Sequence, residues 1–356
     1  MTSSIRIRLG ATLIAACTWC GVPAHALGID RVISTQSLPT KLAAYGGRVV
    51  WSAYDAADKR FYLTELVGQG APRRLAIRPR RIPFDVDLGP GPGGRPFAVY
   101  SRCRTERPDS VNDPTFLPLW EEQRGCRLYE LNLESEQEHA VPGERRMAGV
   151  SDFLPSIWNG RLAFVRESIA DKTPRGSEPP ERLEMLDLRS GRLERLAAGP
   201  RGRGGAGGDN LYPTGPGALD LDLRGQTLSY RWSYVARRCP GLRRDDQLDP
   251  ILTQLRIARP GATSRVYGSS CAQDDPSTLI AGNQSSGTFT FATTQVYGSN
   301  QHSTFYRRAV SGKRVASGLQ LGNAFLVSLA SSRGLYAVTY DRSQPPGNTV
   351  QIVGLS

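Results

Sequence analysis

Histidine is nearly missing from this chain, with three residues in 356, at positions 25, 139 and 302. A Ser-His-Asp hydrolase needs one of them beside a nucleophile, and no GxSxG elbow occurs, so the commonest triad chemistries lack their parts. Zinc chemistry is equally short of ligands, because none of the four cysteines beyond residue 26 has CxxC spacing. Lysine is confined to positions 41, 59, 172 and 313, so arginine carries almost all of the positive charge. Beyond residue 22 no apolar run is long enough to cross a bilayer. Sialidase-type Asp boxes are absent too, and the Gly-rich stretch 201–208, which lacks the Lys-Ser/Thr of a phosphate loop, reads as a linker.

What the chain does have begins with a leader. Arg6 and Arg8 precede an apolar run from Leu9 to Val22 and a small-residue site, Ala24-His25-Ala26, which predicts a removable signal peptide over 1–26. Ile14-Ala15-Ala16-Cys17 also fits a lipobox, so lipid anchoring at Cys17 is the competing reading. Residues 27–356 are expected as one exported domain, in which the formal charge of +12 falls to +10 without Arg6 and Arg8. Four cysteines remain, an even number that suits disulfides in an oxidising compartment. Three pairings are possible, and the strand positions point to Cys103 with Cys126 and Cys239 with Cys271.

Six times a glycine is followed by a short β-rich run, at Gly47, Gly94, Gly160, Gly225, Gly287 and Gly334, with steps of 47, 66, 65, 62 and 47 residues. Such spacing is the mark of a propeller, where each repeat is a small sheet that buries its faces against its neighbours. An innermost strand precedes each run (41–45, 84–88, 152–158, 219–223, 278–282 and 323–330) and a third follows it (61–66, 126–133, 182–188, 253–258, 304–310 and 349–355). A fourth, outer strand is legible in five units; the sixth ends at Ser356 without one. Residues 30–35, which belong to no repeat, are expected to supply it, closing an all-β, six-bladed propeller of four-stranded blades, removing an exposed edge and tying down both termini.

In the third repeat NGRLAFVRES and RLEMLDLRSGRLERLAAG carry a recognisable pattern at Gly160, Leu162, Ala163, Phe164, Asp187, Leu188, Gly191, Arg195 and Leu196. This resembles the repeat of the TolB-like, or WD40-like, six-bladed propellers. The resemblance implies the architecture and supplies no active-site motif. The α/β domain that precedes the propeller in periplasmic TolB proteins has no counterpart in this reading, and fold likeness does not carry function.

Alternating strands place every second-to-third connection on one face of the disc, together with the links into each innermost strand. The long connections 103–126, 167–181, 236–252, 294–303 and 341–348 and the link 199–218 collect there. Recognition is expected on such a loop-rich face. Its arginines, among them Arg80, Arg81, Arg104, Arg237 and Arg243, suit bidentate contacts to carboxylate or phosphate, with Trp120, Phe116 and Tyr212 available for apolar contact. A second candidate lies at the axis, where Asp85, Asp87, Asp152, Asp220 and Asp222 fall on or beside innermost strands. These carboxylates would either converge on calcium or a cationic group, or pair internally with arginines and backbone N–H groups, which is the favoured reading. The sequence therefore describes a secreted, monomeric, disulfide-bonded binding module for a protein or an anionic cell-surface polymer. A hydrolase or lyase with channel-mouth carboxylates, with calcium as its candidate cofactor, is the alternative, and nucleic acid is disfavoured as a partner.

Overall fold

The computed structural model describes residues 29–36, 40–106, 125–142, 149–168, 181–199, 217–236, 251–272, 279–283, 288–297, 300–309, 314–322, 325–331, 335–341 and 349–355. Among them there is no α-helix, and one 3₁₀ turn covers Pro92–Gly94. After β1 (Ile29–Gln36), the strands run in sheets of chain neighbours. The first sheet holds β2 (Leu42–Tyr45), β3 (Arg48–Asp55), β4 (Arg60–Val67) and β5 (Arg73–Arg74). The second holds β6 (Asp87–Pro90), β7 (Pro96–Arg102), β8 (Arg127–Asn132) and β9 (Gln137–Ala140), and the third β10 (Val150–Trp158), β11 (Arg161–Ser168), β12 (Arg182–Asp187) and β13 (Leu193–Arg195). The fourth holds β14 (Gly217–Arg224), β15 (Thr227–Val235), β16 (Ile251–Ala258) and β17 (Arg265–Ala272). The fifth holds β18 (Leu279–Asn283), β19 (Thr288–Tyr297), β20 (Asn300–Ala309) and β21 (Arg314–Gly322). In the last, β22 (Phe325–Ser331), β23 (Leu335–Asp341) and β24 (Thr349–Leu355) are joined by β1, which pairs antiparallel with β24 from Ile29↔Leu355 to Gln36↔Val350.

Side-chain period explains why these strands pack as blades. In β3, Val49 and Trp51 join the cluster holding Ala330 and Ile352 of the last sheet. Val50, pointing the other way, packs with Phe84, Val86, Leu88, Ala98 and Tyr100 toward the second sheet. The third sheet divides in the same manner, with Ala163 and Val165 packed with Leu221, Leu223 and Tyr230 of the fourth, and Leu162 and Phe164 with Val99 and Leu128 of the second. A strand with a blade on each side is buried on both faces, so its run is apolar throughout, and each fully buried side chain contributes about 1.5–3 kcal/mol. First strands lie against first strands, β2 with β6, β6 with β10, β10 with β14, β14 with β18, β18 with β22 and β22 with β2. This is a propeller arrangement of four-stranded blades.

The turn chemistry is local. Asn159 and Gly160, at φ 46° and 76°, form the two-residue hairpin between β10 and β11, the I′-type geometry that needs positive φ at both positions. Asp187 then accepts from the amides of Arg189 at 3.1 Å and Ser190 at 2.8 Å, fixing the turn that leads to β13. Asn132 does the same for Glu134 and Ser135 in the second sheet. The resemblance motif thus sits on the residues that shape these turns.

Two expectations are corrected. The innermost strand expected at 84–88 pairs only over Asp87–Pro90. Upstream, the Asp85 carboxylate takes the amides of Ser101 and Leu154, each at 2.8 Å, and so replaces the ladder with side-chain bonds. Residues 294–303 are not a loop insertion, because Thr294↔Ser303 through Tyr297↔Asn300 continue the β19–β20 ladder. His302, which falls inside that expected connection, consequently lies within β20 opposite Gln295.

Candidate functional site

A broad concavity lies where sequence topology puts the connections. It is a cleft of about 880 Å³ lined by Arg60 at the start of β4, Arg78 and Arg81 in the link toward β6, and Arg102, Cys103, Arg104, Gly125, Cys126 and Arg127 around the end of β7 and the start of β8. Thr105, Glu106, Tyr129, Val150 and Asp152 complete the wall, so the cleft touches the first three sheets. These are second-to-third connections, links into innermost strands and the strand ends beside them, on the face predicted for recognition.

The disulfide Cys103–Cys126 sits in this wall and ties the two strands just beyond the Arg102↔Arg127 pair. Arg104 N then donates to Gly125 O at 3.4 Å. The acids of the wall are already engaged. Glu106 accepts from Arg80 Nε at 3.0 Å and from the Arg81 amide at 3.0 Å, while Asp152 takes both arms of Arg166 at 2.7 and 2.6 Å. Arg102 is held by Glu138. Among the described residues, Arg60, Arg78, Arg81, Arg104 and Arg127 have no carboxylate partner, and Arg104 and Arg81 are exposed. Five guanidinium groups around one concavity make a strongly cationic field, focused because low-dielectric walls shape it.

Arg80, expected beside Arg81 on the binding face, points the other way. Its backbone is clasped to Phe61 by N–H···O bonds of 2.8 and 3.0 Å. The guanidinium is carried inward over the Phe84 ring, donates to Ser101 O at 2.7 Å, and lies 3.4 Å from Asp85. It is a structural cation beneath the cleft floor. Arg237 and Arg243 lie outside the described residues, as do Cys239, Trp120, Phe116 and Tyr212. Cys271 is in β17 opposite Leu252.

Asp87 lies on β6, Asp152 on β10 and Asp220 and Asp222 on β14, with Asp85 just upstream of β6, and each is engaged. Asp87 accepts from Ser156 Oγ at 2.6 Å and the Ile157 amide at 3.1 Å, linking the second blade to the third. Burial pushes its carboxyl above the usual range, against the pull of Lys41, Ser156 and Arg224. Asp222 lies 3.6 Å from Arg224. Asp220 pairs with Lys41 at 2.9 Å, and the same ammonium donates to Leu221 O at 3.3 Å. Burial works to depress the Lys41 ammonium, but the carboxylates of Asp220, Asp87 and Asp85 outweigh it, and its pKa lies above that of ordinary lysine. The void between these groups is about 20 Å³, roughly one water. Among the described residues no three His, Cys, Asp or Glu side chains are grouped as a metal site.

Sequence reasoning missed Lys41, Arg60, Arg102 and Arg127. Two signals were available: the cysteines are flanked as Arg102-Cys103-Arg104 and Cys126-Arg127, and Lys41 is one of four lysines and opens an innermost strand full of acids elsewhere.

No family model and no curated protein matches the chain. Among solved structures it is similar to the Pyrococcus horikoshii acylaminoacyl peptidase, at 11% identity over 89% of this chain and 51% of that one, with a TM-score of 0.42. The chain spans about half the length of that peptidase. It is also similar to the Aleuria aurantia lectin at 11% identity, 90% and 97% coverage and a TM-score of 0.44. A third likeness is to the β-propeller domain of the Trilobed protease from Pyrococcus furiosus, at 8% identity, 90% and 98% coverage and a TM-score of 0.40. At these identities the likeness concerns fold alone.

Proposed function

We propose that this chain is an exported binding module of the TolB-like type, a six-bladed ring closed by Ile29–Gln36, that holds an anionic cell-surface polymer in the arginine cleft. The observation that carries the reading is the set of five cleft arginines without a carboxylate partner among the described residues, beside acids that are already paired. Unpaired guanidinium groups that face one concavity are arranged to receive carboxylate or phosphate, each in bidentate geometry. A disulfide in the wall, and the absence from the described residues of any helix long and apolar enough to span a membrane, are compatible with export. The hydrolase alternative draws no support from the axis, where each carboxylate is hydrogen-bonded or ion-paired.

The test is titration of the oxidised protein with a size-defined acidic oligosaccharide, such as oligogalacturonate or a sulfated glycan fragment, at several salt concentrations. Engagement of five charges predicts a slope of about 3.5 in log Kd against log salt, by analogy with flexible polyanions. Arg104→Ser with Arg127→Ser should weaken binding at least tenfold. Absence of binding at low salt, or affinity indifferent to these substitutions, would defeat the reading and leave a protein partner to be sought.

A further inference from the structure

The same wall holds a disulfide. Cys103 and Cys126 both line the cleft, Cys103 half-buried and Cys126 buried. Every chain neighbour of the pair is an arginine except Gly125, and Arg80 Nη2 lies 3.9 Å from Cys103 Sγ. Reduction of a disulfide releases thiolates, which cations stabilise, and the rate depends on how readily the attacking thiolate arrives and the departing one is accommodated. A disulfide built only as a staple needs neither an opening on a cleft nor unneutralised arginines, Arg104 and Arg127, beside it in the same lining.

We propose that Cys103–Cys126 is a thiol-exchange site selective for small thiols that carry carboxylates. It rests on the cationic character of the cleft used in the binding reading, though not on any polymer occupying it. In the first step the thiolate of the incoming molecule attacks Cys103 Sγ. A new S–S bond forms, the Cys103–Cys126 bond breaks, and its electron pair leaves on Cys126 Sγ, in the field of Arg104 and Arg127. A second equivalent of the same thiol attacks the external sulfur of the mixed disulfide and expels Cys103 as thiolate beside Arg80. The small thiol leaves as its own disulfide, two electrons pass to the protein, and two protons taken from the thiols return when the cysteines are protonated. The carboxylates of the reductant take no part in bond making. They are held by the arginines, which raises the local thiolate concentration.

The test uses the oxidised full chain under native conditions. Pseudo-first-order exchange is followed by intact mass with mercaptosuccinate, 2-mercaptoethanol and cysteamine, rates being expressed per thiolate. At low salt the dianionic thiol should react roughly tenfold faster than the neutral one, and the cationic thiol slowest, within the range of electrostatic enhancement in focused clefts. In about 1 M salt the spread should shrink to about twofold. Arg104→Ser, at an exposed position, should slow all three thiols, because part of the field at the departing Cys126 thiolate is lost, but should slow mercaptosuccinate most, cutting its advantage over 2-mercaptoethanol to about threefold, with circular dichroism unchanged. Rates ordered by thiol basicity alone, or a disulfide inert to all three thiols in the folded protein, would overturn the proposal. Selective exchange in a protein that holds no acidic oligosaccharide would sink the polymer reading and leave this one. Oligosaccharide binding with unselective exchange would do the reverse.

Discussion

Replacing Lys41 with methionine keeps the length and the apolar stem of the side chain and removes only its ammonium. In the wild type that group is buried, 2.9 Å from Asp220, and within the field of Asp87 and Asp85. The variant leaves Asp220 buried without its cation, and breaking a buried pair by deleting one partner costs about 3 to 5 kcal/mol. Against a total stability of about 5–15 kcal/mol, that is a large share. At about 2–3 °C per kcal/mol for a chain of this size, the midpoint should fall by about 10 °C. Thermal and urea unfolding with the disulfide kept oxidised provide the assay. Lys41→Met with Asp220→Asn should recover more than half of the loss, because the stranded charge is removed together with its partner, and the cycle should give a coupling of about 1–3 kcal/mol. A single variant less than about 1 kcal/mol below wild type, or strictly additive singles, would refute the claim that this pair ties β2 to β14. The pH sign follows from the raised Lys41 pKa. Its contribution is complete below the unfolded value of 10.5 and is lost as pH rises through the higher folded value, so the alkaline limb of the stability curve should flatten in Lys41→Met.

Gly89→Ala should prevent folding or lower stability by several kcal/mol, because the added Cβ would lie 1.9 Å from the backbone oxygen of Ile157 at the contact between the second and third sheets; soluble yield and melting temperature report it. Gly160→Ala, in open space but at φ +76°, should cost only about 1–2 kcal/mol by urea titration, through backbone conformation alone. Asp152→Asn weakens a bidentate bond to buried Arg166 and should destabilise by about 2–4 kcal/mol, measured in the same way. Glu136 is held below the usual carboxyl range by Arg73 and the Ala76 amide, so it stabilises above pH 4.5 and loses that effect as pH falls through its lower folded value. Glu136→Gln should therefore flatten the acid limb slightly, by less than about 1 kcal/mol because the pair is largely solvated.

The repeat was legible because its signals are local. A glycine with positive φ at Gly160, an Asx turn at Asp187 and β-branched or aromatic runs report their own conformation within a few residues. The Cys103–Cys126 bond was legible for a related reason, since both cysteines stand at the ends of strands already paired by the repeat. The direction of Arg80 was not. Whether its guanidinium joined Arg81 in the cleft or turned under it depended on the clasp to Phe61 and on Asp85, contacts that no spacing announces. Similarly, acids on the innermost strands were readable as a set, but Lys41 reaching Asp220, with Leu221 180 positions away in the chain, was not.

By itself, then, the amino-acid order determined the strand units, their turns, the face on which connections gather and the excess of arginine over acid, because each of these follows from short-range pattern or from composition. Only the tertiary structure decided which charges cancel. Ion pairing is set by distances of a few ångströms between side chains from different blades, and those distances exist only once the sheets have packed. That packing turned the axial aspartates into internal partners and left five arginines facing one cleft.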